Sequence, residues 1–117
     1  MLPLPKTIAE EFIHAAQRFP TRPALISTCD PSTGQRIVTY RRLLSVAREG
    51  ANKAFKEGQV IVVGIEEGCD LVAIELAAWL AGAAVCPFDV RKDPRSRDAI
   101  SMLNPDLVVI ANSELHL

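Results

Sequence analysis

Val60-Ile61-Val62-Val63-Gly64-Ile65 is a run of β-branched residues interrupted only by Gly64. A strand with one wet face alternates apolar and polar residues. This run does not, which is the pattern of a strand buried on both faces in a helix-covered parallel sheet. The residues that follow agree. Asp70 is placed to cap a helix running to Ala81, with Gly82 as the left-handed residue that ends it. Leu71, Ile74, Leu76, Ala77, Trp79 and Leu80 surround that helix almost completely, so it needs cover on both sides. Ala84–Pro87 reads as the next strand, expected in the sheet interior. Asp93-Pro94 supplies an N-cap and a proline at the first position of a helix through Leu103, which stops before Asn104-Pro105. Leu107–Ile110 is a third buried strand. Residues 60–110 thus read β-α-β-α-β, for which parallel strands and right-handed crossovers are the default.

Upstream, Thr7 and Glu10 have capping-box spacing, and Ile8, Phe12, Ala15, Ala16 and Phe19 recur at helical period. The spacing predicts an amphipathic helix over Thr7–Arg18, stopped by Pro20. Ala24–Ser27 and Arg36–Val38 flank a turn cluster at Asp30-Pro31-Ser32-Thr33-Gly34, which predicts a hairpin. Thr39 caps a helix over Tyr40–Phe55. Leu43, Leu44, Ala47, Ala51, Ala54 and Phe55 form one side, with Arg41, Arg48, Glu49 and Lys53 on the other. The expected fold class is therefore α/β: a partial doubly wound parallel sheet preceded by a helix, a β-hairpin and a helix. Residues 1–117 form one unit with no internal boundary.

A length of 117 residues bounds the chain to one domain. An apolar fraction of 49% excludes a disordered tail. A net charge of −1, a pI of about 6.1 and 5% aromatics argue against nucleic acid as a partner. Cys29, Cys69 and Cys86 are odd in number and widely spaced, which points to a cytoplasmic protein rather than a disulfide scaffold. His14 and His116 lie far from them, so no zinc spacing arises. Met1-Leu2-Pro3-Leu4-Pro5 does not open a signal peptide. The apolar stretch Leu71–Phe88 approaches membrane length, but Glu75, Gly82 and Pro87 interrupt it, so no membrane span is expected.

Each chemical signal has a plain structural explanation. The junction Gly64-Ile65-Glu66-Glu67-Gly68-Cys69-Asp70 holds neither a GxGxxG nor a Walker lysine, and its carboxylates repel phosphate. Ser32-Thr33-Gly34 stands at a hairpin tip with no following lysine. Arg91, Lys92, Arg95 and Arg97 form a basic loop near the carboxyl end of a strand, but Asp93 and Asp98 interrupt it, as on a solvated face. Cys86 reads as a small buried hydrophobe, His14 as a residue of a polar helix face, and Glu75 as a carboxylate that snorkels to an edge. No catalytic, cofactor-binding or metal-ligating residue is assigned.

Three segments, in order, resemble the adenylate-forming enzymes: acyl-CoA synthetases, luciferases and nonribosomal peptide synthetase adenylation domains. Phe19-Pro20-Thr21-Arg22-Pro23-Ala24-Leu25 resembles the family's "P-x-x-P-A-L" lead-in, and Val38-Thr39-Tyr40-Arg41-Arg42-Leu43 resembles "(L/V)-T-Y-x-E-L". Leu80-Ala81-Gly82-Ala83-Ala84-Val85-Cys86-Pro87-Phe88-Asp89 resembles "L-K-A-G-x-A-Y-V-P-L-D". Arg42 stands where the family usually has an acid, and Leu80 where it usually has a lysine. The resemblance implies an N-terminal segment of an AMP-dependent ligase that joins a carboxylic or amino acid to a thiol, of coenzyme A or a carrier protein, through an acyl-adenylate. It also implies ATP and magnesium as cofactors of a full-length relative. The phosphate loop and later catalytic motifs have no counterpart in these residues, so the expectation is a piece that binds neither cofactor and is inactive alone. Its expected partner is the remainder of the large subdomain. Apolar surface near Trp79 or Leu80 should promote self-association. On the sequence alone, a truncated non-catalytic interaction module and an unrelated small α/β ligand-binding protein stay open.

Overall fold

The computed structural model of the chain describes residues 7–27, 36–64, 69–87 and 96–110. Helix α1 (Ile8–Arg18) starts where Thr7 Oγ1 accepts the Glu10 amide at 3.1 Å. β1 (Pro23–Ser27) and β2 (Arg36–Thr39) pair antiparallel, with a register shift between Pro23 and Leu25. The predicted turn at 30–34 lies outside the described residues. α2 (Tyr40–Ala54) follows β2 without a loop. Thr39 Oγ1 accepts the Arg42 amide at 3.2 Å, so the last strand residue is also the helix cap.

The second unit is a three-stranded parallel sheet in the order β4-β3-β5. β3 (Val60–Gly64) is central, with Ile61, Val62 and Val63 fully buried, as the unbroken apolar run requires. β4 (Ala84–Pro87) lies on one side and β5 (Leu107–Ile110) on the other. This corrects the expected interior place of Ala84–Pro87: the chain returns across β3 to lay β5, leaving β4 as an edge among the described strands. The β3 run stops at Gly64, and Ile65 lies outside the described residues. α4 (Ser96–Leu103) precedes β5, and left-handed Asn104 (φ 48°) follows it. Asp93-Pro94 is outside the described residues.

α3 (Cys69–Ala81) is the shared wall of the two units. On one side Leu76 and Ala77 pack with Leu43 and Ala47 of α2, joined by Leu25, Val38 and Leu80. On the other side Ala78, Leu71 and Ile74 pack with Ile61, Val63, Leu107 and Val109 of the sheet. The helix that the sequence marks as needing double cover receives both covers from this chain. A Cβ at Gly50 of α2 would stand 3.1 Å from Ala77 Cβ, so small residues set the close approach of α2 and α3.

Two expectations at helix ends are corrected. Asp70 does not cap α3; the helix already includes Cys69, which puts Asp70 in the first turn, where its charge suits the dipole. α2 ends one residue early, with Phe55 extended as its C-cap, and Ala54 is exposed.

Candidate functional site

The residues singled out from the sequence do not converge. His14 is exposed on α1, Glu75 is half-buried on α3, and Cys86 is a half-buried free thiol on β4. The hairpin tip, the 65–68 junction, Arg91, Lys92 and Arg95 of the basic loop, Cys29 and His116 lie outside the described residues, and Arg97 of that loop falls within α4.

The structure instead brings four elements together around a cavity of about 90 Å3. Its floor is aliphatic: Leu25 of β1, Val38 of β2, Leu43 and Val46 of α2, and Ala73 of α3. Its rim carries Arg36 of β2, Arg42 in the first turn of α2 and Asp70 in the first turn of α3. Arg36 Nη1 stands 3.7 Å from Asp70 Oδ1, with the side chains 53% and 78% exposed, so this pair holds neither group firmly. Neither arginine was singled out from the sequence as a site residue. The available signal was Arg42, a cation three residues after the Thr39 N-cap, where a carboxylate would complete a capping box.

No family model matches the chain. Delta-poly-L-ornithine synthetase of Acinetobacter baumannii is 32% identical over 104 residues, 88% of this chain but 8% of that protein. Among solved structures, an artificially fused adenylation–PCP di-domain nonribosomal peptide synthetase, NpsA-ThdA from Klebsiella oxytoca, superimposes with a TM-score of 0.81. It is 25% identical and covers 97% of this chain and 23% of that one. The chain is similar in sequence and fold to part of the adenylate-forming enzymes. O-succinylbenzoate coenzyme A synthetase (MenE) from Bacillus subtilis, in complex with AMP, shares the fold at 17% identity and TM-score 0.73, over 87% of this chain and 21% of that one.

Within this scaffold, the motif residues do architectural work. In Val38–Leu43, Thr39 caps α2, the Tyr40 ring stacks on Phe12 at 5.7 Å between centroids, and Leu43 is buried in the core. The Tyr40 amide donates to the Arg22 carbonyl at 3.0 Å, tying this motif to the "P-x-x-P-A-L" lead-in. In the segment beginning at Leu80, Gly82 takes φ +84° and closes α3. Its amide donates to the Trp79 carbonyl at 3.1 Å and the Ala83 amide to the Ala78 carbonyl at 2.9 Å, the paired bonds of a Schellman ending. Among the described residues, no group of three His, Cys, Asp or Glu is placed to hold a metal. The cavity is smaller than the roughly 150 Å3 cavity that binds benzene.

Proposed function

We propose that this chain is the opening segment of the large subdomain of an AMP-dependent acid–thiol ligase, supplying scaffold and no catalytic group. The observation that carries this reading is the use of both core motifs as caps, turns and packing residues, in an unbroken likeness over nearly the whole chain. The chain spans under a tenth of the curated relative and about a quarter of the solved di-domain. In such a ligase a carboxylate attacks the α-phosphate of ATP, pyrophosphate leaves, and a thiol then takes the acyl group. The groups that steady the transferring phosphate must be cations held at its oxygens. In this reading they come from the rest of the subdomain, which binds ATP and magnesium and is the chain's principal partner in the cytoplasm. Residues 1–117 act as one unit of that subdomain.

The purified chain, given ATP, magnesium and a panel of carboxylic and amino acids, is expected to release no pyrophosphate above the blank. Acid-dependent pyrophosphate release from a clean preparation would overturn the scaffold reading.

A further inference from the structure

We propose that the cavity between the hairpin, α2 and α3 binds a short branched aliphatic carboxylate, with Arg36 and Arg42 on the carboxylate and the aliphatic floor on the chain. Size sets the class. About 90 Å3 is room for one small apolar group, less than the roughly 150 Å3 cavity that binds benzene. The floor residues Leu25, Val38, Leu43, Val46 and Ala73 offer no hydrogen-bonding side chain, so the part that enters must be apolar. The rim sets the charge. Arg36, Arg42 and Asp70 all line the rim, Asp70 Oδ1 stands 3.7 Å from Arg36 Nη1, and the Arg42 charge also bears on Glu49 of α2. A planar guanidinium fork matches a carboxylate better than any other small anion except phosphate, and an apolar tail favours the carboxylate.

Arg42 is the residue that makes the site more than a dent. At the third position after Thr39, a Glu would return a hydrogen bond to the cap and favour the helix dipole; an Arg forgoes both and opposes the dipole. The first turn of α2 contains no acid at all. A local rule broken at one position, on the rim of a cavity, marks a residue kept for something other than the helix. The same chemistry has two sources: a free branched-chain acid, or the C-terminal leucine of a polypeptide.

The test follows the ligand's methyl signals by saturation-transfer difference NMR against the whole chain, which reads binding whatever the chain's association state. 4-Methylpentanoate should saturate with a Kd on the order of 1 mM, as a ligand of this size on an exposed rim allows. The neutral 4-methylpentanamide should bind at least about tenfold more weakly. Arg42→Glu should abolish acid binding while its thermal midpoint stays equal or rises, which separates loss of the site from loss of the fold. Arg36→Gln should weaken binding in the same direction. N-acetylleucine binding more tightly than 4-methylpentanoate assigns the polypeptide end, and the reverse order assigns the free acid. Equal binding of acid and amide, undiminished binding to Arg42→Glu, or no saturable transfer at all would overturn the proposal. None of these readings depends on ligase activity, so the site and the scaffold function fail separately.

Discussion

Gly82 and Gly58 both hold positive φ, at +84° and +81°, and the Gly58 amide donates to the Gly82 carbonyl at 3.0 Å. Their surroundings differ. A Cβ at Gly82 would stand 3.1 Å from Glu57 Cγ, whereas a Cβ at Gly58 would meet nothing within 4 Å. Gly58→Ala should therefore cost the left-handed penalty alone, about 1 kcal/mol. Gly82→Val should cost about 2 kcal/mol or more, because a β-branched residue resists positive φ and must also displace Glu57. Urea denaturation of the pair checks the ranking; a Gly82→Val midpoint equal to wild type would break it. Arg42 gives the opposite sign. Arg42→Glu should raise stability by about 0.5–1 kcal/mol at low salt, by completing the capping box and reversing the charge at the helix N-terminus. The gain should shrink in 1 M salt, where the Debye length is about 3 Å. Both residues were visible in the sequence, one as a stop signal and one as a departure from the motif. What Arg42 lines was not, because β1 and α3, which complete that cavity, are brought to it only by tertiary packing.

Two elements are joined by a single side chain at the amino end of the sheet. Asp106 Oδ2 accepts the Val60 amide at 2.7 Å, and the Asp106 amide donates to the Val60 carbonyl at 2.8 Å. These bonds clamp the start of β5 to the start of β3. Asp106→Ala should cost about 1 kcal/mol and speed hydrogen exchange at Val60 more than at Val63. On the outer face of α2, Lys53 Nζ donates to Glu49 Oε1 at 2.8 Å. That bond and the lysine charge hold the Glu49 carboxyl below its usual 4.5, and the carboxylate holds the Lys53 ammonium above its usual 10.5. The glutamate's contribution is thus present above pH 4.5 and fades as pH falls through its lowered value. The lysine's is present below pH 10.5 and is lost as pH rises through its raised value. Both groups are exposed, so Glu49→Gln should change the urea midpoint little at 0.15 M salt. At this scale the sequence was most readable: β-branched runs, threonine caps and Gly82 mark elements through local physics. Strand order was not legible. The same β-α-β-α-β string allows β4 at the centre or at the edge, and long-range packing decides between them.

Across the molecule, the sequence-stated demand for cover on α3 is met internally, so the apolar surface lies elsewhere than expected. Trp79 and Leu80 are half-buried against the α2 cluster. Met102 is 87% exposed on α4 and Val108 45% exposed on β5. Val108 stands in register with Val62, on the sheet face turned away from α3. Ile26 and Ile37 of the hairpin are exposed as well, and self-association should draw on such exposed apolar residues, Met102 and Val108 among them. Met102→Lys with Val108→Lys should lower light scattering at micromolar concentration, whereas Leu80→Lys should lower stability instead. A wild-type chain that scatters as a monomer at every concentration would refute this. The position of α3 carries a further consequence during synthesis. The α2–α3 pairing needs only residues 40–81, a nearly local contact set. The roughly 30 residues from there to the end of β5 take the ribosome on the order of seconds to add, while helices dock in far less time. The nascent chain can settle its helical wall first, and each later strand then arrives at a surface already in place.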